Sequence, residues 1–83
     1  MAVFDDLIAS GLSEPQAEAV VLEDSIGDAT DALVAAGFTT TQAQAVHAYD
    51  ANRTDANLDN IVQQGIWAGT QLPAIDAALD VTP

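Results

Sequence analysis

The sequence contains no cysteine and no lysine. Without cysteine there are no disulfides and no thiolate metal sites. One basic side chain, Arg53, stands against thirteen carboxylates, for a formal net charge of -12. Nucleic-acid backbones and anionic membrane surfaces are both held by Lys and Arg displacing counterions, so neither partner is expected. The carboxylates are spread among Ala and Thr instead of running together, which argues against imitation of a nucleic-acid backbone. The chain has no run of about 20 apolar residues to span a bilayer. It also has no basic segment leading into an apolar one at its N-terminus and no lipidation motif. The expectation is a soluble, unsecreted, cytoplasmic protein. Glycine-rich phosphate loops of the G-x-x-x-x-G-K-[ST] or G-x-G-x-x-G kind are missing too.

What is present is short and alanine-rich. Eighty-three residues, 49% of them hydrophobic, suit one small domain, and a chain of that size buries only about 60% of its unfolded surface. Alanine favours helix and close helix approach but contributes little buried area. The large apolar set is Phe4, Leu7, Ile8, Leu12, Leu22, Leu33, Val34, Phe38, Leu58, Ile61, Val62, Ile66, Trp67, Leu72, Ile75 and Leu79, a thin core. The lack of Lys beside abundant Asp, Ala, Thr and Val resembles proteins from organisms with molar salt in their cytoplasm, where a Debye length of about 3 Å screens self-repulsion. An acidic, Ala-rich protein from an ordinary source fits the same composition.

The chain repeats itself. LIASGLSEPQAEAV at 7–20 returns as LVAAGFTTTQAQAV at 33–46. Aligned on glycine, three stretches read Phe4-Leu7-Ile8-Gly11, Thr30-Leu33-Val34-Gly37 and Leu58-Ile61-Val62-Gly65. The i, i+3, i+4, i+7 spacing predicts a helix whose apolar stripe faces a core and which ends at the glycine. Glycine at C′ enters the left-handed region without a Cβ clash, and the apolar residue after it, Leu12, Phe38 or Ile66, packs back onto the helix. A second helix follows. Ser13 with Gln16 and Thr39 with Gln42 are S/T-x-x-Q capping boxes, and Pro15 falls in the first turn, where its missing donor is harmless. In the third copy the loop is one residue longer and Thr70 is the expected cap, followed by Gln71. Asp28 is expected to cap the third helix and Thr54 or Asp55 the fifth.

The fold class follows as all-α, a small bundle or short solenoid of about six short helices. They form three helix–glycine corner–helix repeats at about 2–26, 28–53 and 55–80 of a single 1–83 domain, with 81–83 a frayed tail. Helices under about 12 residues are marginal alone, so the three units must share one core.

Chemistry-bearing patterns are few. His47 with Asp50 three residues on can share a helix face as a base and its orienting carboxylate, or can be surface and packing residues. Asp55-Ala-Asn57-Leu-Asp59 opens like an EF-hand loop, but Asn60 stands at the required glycine and Ile66 at the bidentate Glu. No G-x-S-x-G elbow surrounds a serine. No catalytic residue, cofactor or metal ligand is expected, and the chain reads as a non-enzyme. Trp67 and Phe38 stand at corners, either to close the core or to face a partner, since aromatics concentrate at interface centres.

Residues 33–62, with Gly37 and Phe38 in a loop, Ala45 and Val46 in a second helix, and Asn57, Leu58 and Val62 in a third, resemble a ubiquitin-associated domain. Ala36 stands where that family has Met, the link between the second and third helices is longer, and the motif recurs on either side. The resemblance implies a protein-binding module gripping its partner through the Gly37–Phe38 corner. The phrase G-[FL]-[ST]-x-x-Q-A-x-A-V, at 11–20 and 37–46, is similar to repeat corners of small accessory proteins of tailed-virus particles and of helical stalk proteins, which self-associate. It implies a structural virion component, a homo-oligomer or a subunit bound to a larger virion protein. Leu12, Phe38, Ile66 and Trp67 are the contact residues expected from the corners.

Overall fold

Local sequence signals end the first and third helices at Gly11 and Gly37 and start the second, fourth and fifth at Ser13, Thr39 and Thr54. The computed structural model describes residues 2–64 and 71–79, and every regular element among them is helical: α1 Ala2–Ala9, α2 Glu14–Ile26, α3 Thr30–Ala35, α4 Thr40–Ala51, α5 Asp55–Gln63 and α6 Gln71–Leu79. Gly65, Ile66, Trp67 and Thr70 lie outside the described residues, and so does the 81–83 tail.

Two corners are complete Schellman motifs. Gly11 N–H donates to the Ile8 carbonyl (3.0 Å) and Leu12 N–H to that of Leu7 (3.4 Å), while Gly37 N–H donates to Val34 (3.1 Å) and Phe38 N–H to Leu33 (3.2 Å). Their glycines have φ of +108° and +118°, values that a side chain would make strained. Ser13 and Thr39 each accept the third-residue N–H of their helix, and Gln16 and Gln42 Oε1 accept the cap N–H in return at 3.0 and 2.8 Å. Thr54, not Asp55, caps α5 through the Asn57 N–H. Helix α5 runs through the EF-hand-like stretch, so Asp55, Asn57 and Asp59 spread around a helix instead of converging.

Asp28 does not cap α3. That helix starts at Thr30, with Ala29 in the cap position and no side-chain cap bond. The Ala29 N–H is taken by the Glu23 carboxylate at 2.9 Å, and Asp28 Oδ1 instead accepts from the Thr30 N–H and hydroxyl at 3.2 and 2.8 Å.

The three repeats close on themselves, so the short solenoid is not what forms. Helix α2 packs on α3, α4 on α5, and α6 returns to α1, giving one bundle with the second helices toward its middle. The capping glutamines mark the ring. While Gln16 and Gln42 use Oε1 on their own caps, the Gln16 Nε2 lies 3.4 Å from where a Cβ on Gly37 would be, and Gln42 Nε2 donates to the Gln64 carbonyl at 3.4 Å. Gln71 Nε2 completes the circuit, 3.2 Å from a Cβ position on Gly11. Each repeat thus touches the corner of the next.

The core is one cluster. Leu7, Leu33 and Ile61 from the first helices and Val20, Val46 and Ile75 from the second are all 0% exposed, in matching registers. Small residues Ala17, Ala19, Ala43, Ala45 and Ala78 are buried among them. The expected stripe is narrower than its spacing suggests: Ile8, Val34 and Val62, one residue past each buried position, are 38%, 40% and 50% exposed. The helices packed against α1, α3 and α5 cover the side of the stripe that carries Leu7, Leu33 and Ile61, and its flank turns outward. Leu22, also expected inside, is 40% exposed.

Candidate functional site

Register also places the polar contacts between second helices. Counting from each capping glutamine, Glu23, Tyr49 and Ala78 are equivalent, as are Val21, His47 and Asp76. Glu23 of the first repeat meets His47 of the second at 3.1 Å, Oε2 to Nδ1. Tyr49 of the second meets Asp76 of the third, its hydroxyl donating to Oδ1 at 2.6 Å. Arg53 joins that second bridge by an ion pair with Asp76 and by lying 4.5 Å from the centre of the Tyr49 ring. At the remaining step of the ring the same registers hold the apolar pair Ala78 and Val21.

The first bridge is chemically the denser one. Glu23 is 0% exposed and is the fully buried charged side chain among the described residues. Its Oε1 is fixed by the Ala29 N–H and its Oε2 faces the imidazole. Asp28 Oδ1 approaches the same Nδ1 at 3.9 Å. His47, with 35% of its side chain exposed, has its pKa raised by the hydrogen bond to Glu23, a shift that burial opposes. Asp50 is pushed up to about 7 by burial and by its hydrogen bond to Glu23. Asp28 is held below its ordinary value by the Thr30 hydroxyl and N–H.

The pairing of His47 with Asp50 that their spacing allows along one helix gains a third member: both act with Glu23, supplied by α2. Sequence reading passed over Glu23 because a lone Glu in VVLEDSI reads as solvated. Its register with buried Tyr49 and Ala78 (7% and 1% exposed) is the signal that could have found it. The arrangement can hold an imidazole in one orientation, exchange protons among three groups, or take up a cation. The serines offer it no nucleophile: Ser10 Oγ donates to the Leu7 carbonyl at 2.6 Å, Ser13 is spent on its cap, and Ser25 lies on the exposed face of α2.

These shifts set a pH dependence. A carboxyl raised from 3.8 to about 7 keeps a proton in the folded state that the unfolded chain releases, so its contribution is intact below about pH 4 and fades as pH rises toward 7. His47, also raised, loses its contribution as pH climbs past its ordinary 6.5. Asp28 acts oppositely, but it is exposed and screened. At constant salt the Tm is expected to fall by a few degrees between pH 5 and pH 8, since about 1 kcal/mol shifts a domain of this size by roughly 4–8 °C. Asp50→Asn should flatten that profile, and a Tm rising over the same range would contradict the assignment.

Of the four expected contact residues, Leu12 and Phe38 face inward, 6% and 3% exposed, within the core cluster. The C″ contact that locks each corner uses up their surface, so neither offers a partner contact area. Ile66 and Trp67 lie outside the described residues. The apolar surface that is open lies elsewhere, on α2 and α3. Leu22, 40% exposed, borders a groove of about 290 Å³ lined by Pro15, Glu18, Ala19, Ala32, Ala35 and Ala36, and Leu22 and Ala32 continue into a second recess beside it, where Ile26, 61% exposed, joins Asp28, Thr30 and Asp31. Among the described residues no helix is long and apolar enough to cross a membrane. Set against known proteins, the chain matches no family model, no curated protein and no solved structure.

Proposed function

We propose that this chain is a non-enzymatic assembly protein that works by protein–protein contact, docking on copies of itself or on a larger shell or connector protein of a virus particle. The observation that carries the contact role is the open apolar surface of α2 and α3, where exposed Leu22 joins an alanine-lined groove to a second recess that holds Ile26. Contiguous apolar surface on a small acidic protein is a mark of a covered interface. The particle setting is supported by the corner phrase at 11–20 and 37–46, repeated here around a closed ring.

Charge makes the reading testable. Two copies at -12 each repel at low ionic strength, and about 1 M salt shortens the Debye length to about 3 Å and removes that barrier. Light scattering behind size exclusion is expected to show the mass per particle rising with salt. Ile26→Glu, at a position too exposed to disturb the core, should weaken association about tenfold or more, given the roughly 1.5–3 kcal/mol that burying an isoleucine contributes. A folded monomer at every salt concentration, with no affinity for capsid, connector or tail proteins encoded beside it, would end the proposal.

A further inference from the structure

We infer that Glu23, Asp28 and His47 form a binding site for one first-row divalent cation of the zinc class, clasping α2, the α2–α3 turn and α4 together. Each of the three side chains offers one ligand atom and these lie within 4.8 Å of one another, with Glu23 Oε2 and Asp28 Oδ1 both facing His47 Nδ1. Around a zinc ion with bonds of about 2.0–2.1 Å, tetrahedral ligand atoms are roughly 3.3 Å apart. The Glu23–His47 separation of 3.1 Å already fits. The Asp28–His47 separation of 3.9 Å needs about half an ångström of closure, which the exposed Asp28 carboxylate would make by shifting against its two hydrogen bonds to Thr30, and the Glu23–Asp28 separation lies within 4.8 Å.

The anchoring ligand is rigid. Glu23 is fully buried and its Oε1 is bonded to the Ala29 N–H, which leaves Oε2 directed at the site. Such support of a ligand by its second oxygen orients it and sharpens affinity. Charge points the same way. Glu23, Asp28 and Asp50 act on a single imidazole, and the chain's one arginine is engaged with Asp76 and Tyr49 on the other bridge. Two positive charges from a cation would neutralise what the side chains leave uncompensated. One imidazole with two carboxylates selects zinc, manganese or ferrous iron over calcium and magnesium, which prefer all-oxygen shells. Asp28 also lines the recess that holds Leu22 and Ile26, so the site adjoins the face proposed for docking, while Glu23 and His47 lie outside that recess.

The test is calorimetric titration of the chelator-treated full chain with Zn²⁺, with Ca²⁺ and Mg²⁺ as comparison ions, and melting curves with and without Zn²⁺. One Zn²⁺ per chain and a raised Tm are expected. Asp28→Asn keeps the oxygen that accepts from Thr30, so the turn persists, and should weaken zinc binding about tenfold or more. His47→Gln should do the same, and Asp55→Asn, on a different helix, should change nothing. Should His47→Gln fail to fold by circular dichroism, Asp28→Asn decides. Absence of saturable Zn²⁺ binding, or affinity equal for Ca²⁺ and unaffected by Asp28→Asn, would overturn the site in favour of general cation attraction to an acidic surface.

Discussion

Leu33→Ala is expected to cost about 3–5 kcal/mol. Leu33 is 0% exposed at the centre of a helix only six residues long. Its side chain belongs to the cluster that includes Phe38, and its carbonyl accepts the N–H of both Ala36 and Phe38 at the corner. A six-residue helix has no independent stability, so loss of its anchor releases the corner as well. Against a total of roughly 4–12 kcal/mol for a chain this long, at about 0.05–0.15 kcal/mol per residue, that cost removes most of the margin. The matched control is Val34→Ala, next in sequence and on the same predicted stripe but 40% exposed, for which under about 1 kcal/mol is expected. Urea or thermal unfolding of the pair measures both. Equal losses would mean that the two positions share the core and that the ring described for the repeats is wrong.

Removing the buried carboxylate is the second large perturbation. Glu23→Ala is expected to destabilise by about 2–4 kcal/mol. Part of that is the Ala29 N–H, left buried without an acceptor at about 1–3 kcal/mol. The rest is the loss of a partner for His47 and Asp50. Breaking an enclosed ion pair costs about 3–5 kcal/mol, and the total stays below the sum because His47, 35% exposed, can turn to water. Glu23→Gln keeps an oxygen for Ala29 and places its amide against the imidazole, so most of the stability should return, with a loss of about 1 kcal/mol. Denaturant unfolding of the two variants distinguishes them, and amide exchange at Ala29 should accelerate only in Glu23→Ala. If the variants lose stability equally, the hydrogen bond to Ala29 is not what Glu23 provides.

The legible parts of the molecule were local. Gly11 and Gly37 mark helix ends because only a residue without a Cβ takes their φ readily, and the caps at Ser13 and Thr39 bond within four residues of themselves, so their geometry is written in their spacing. The same locality misled at Asp28: the helix opens at Thr30 with Ala29 in the cap position, and Asp28 accepts the Thr30 N–H while Glu23, five residues before it, takes that of Ala29. Ile8, Val34 and Val62 show the limit of periodicity. Spacing says that they share a face with Leu7, Leu33 and Ile61, and only the position of neighbouring helices says how wide a strip of that face is covered.

The sequence by itself determined six helices, their corners and their threefold recurrence, because hydrogen bonds between residues three to five apart and a 3.6-residue period need no knowledge of the rest of the chain. Only the tertiary structure decided that the repeats close into a ring, that α2 and α3 leave an apolar face open, and that Glu23, Asp28, His47 and Asp50 gather at one point. Those facts depend on which helix lies beside which, across separations of about 20 residues or more, where loop closure leaves local propensity with nothing to say.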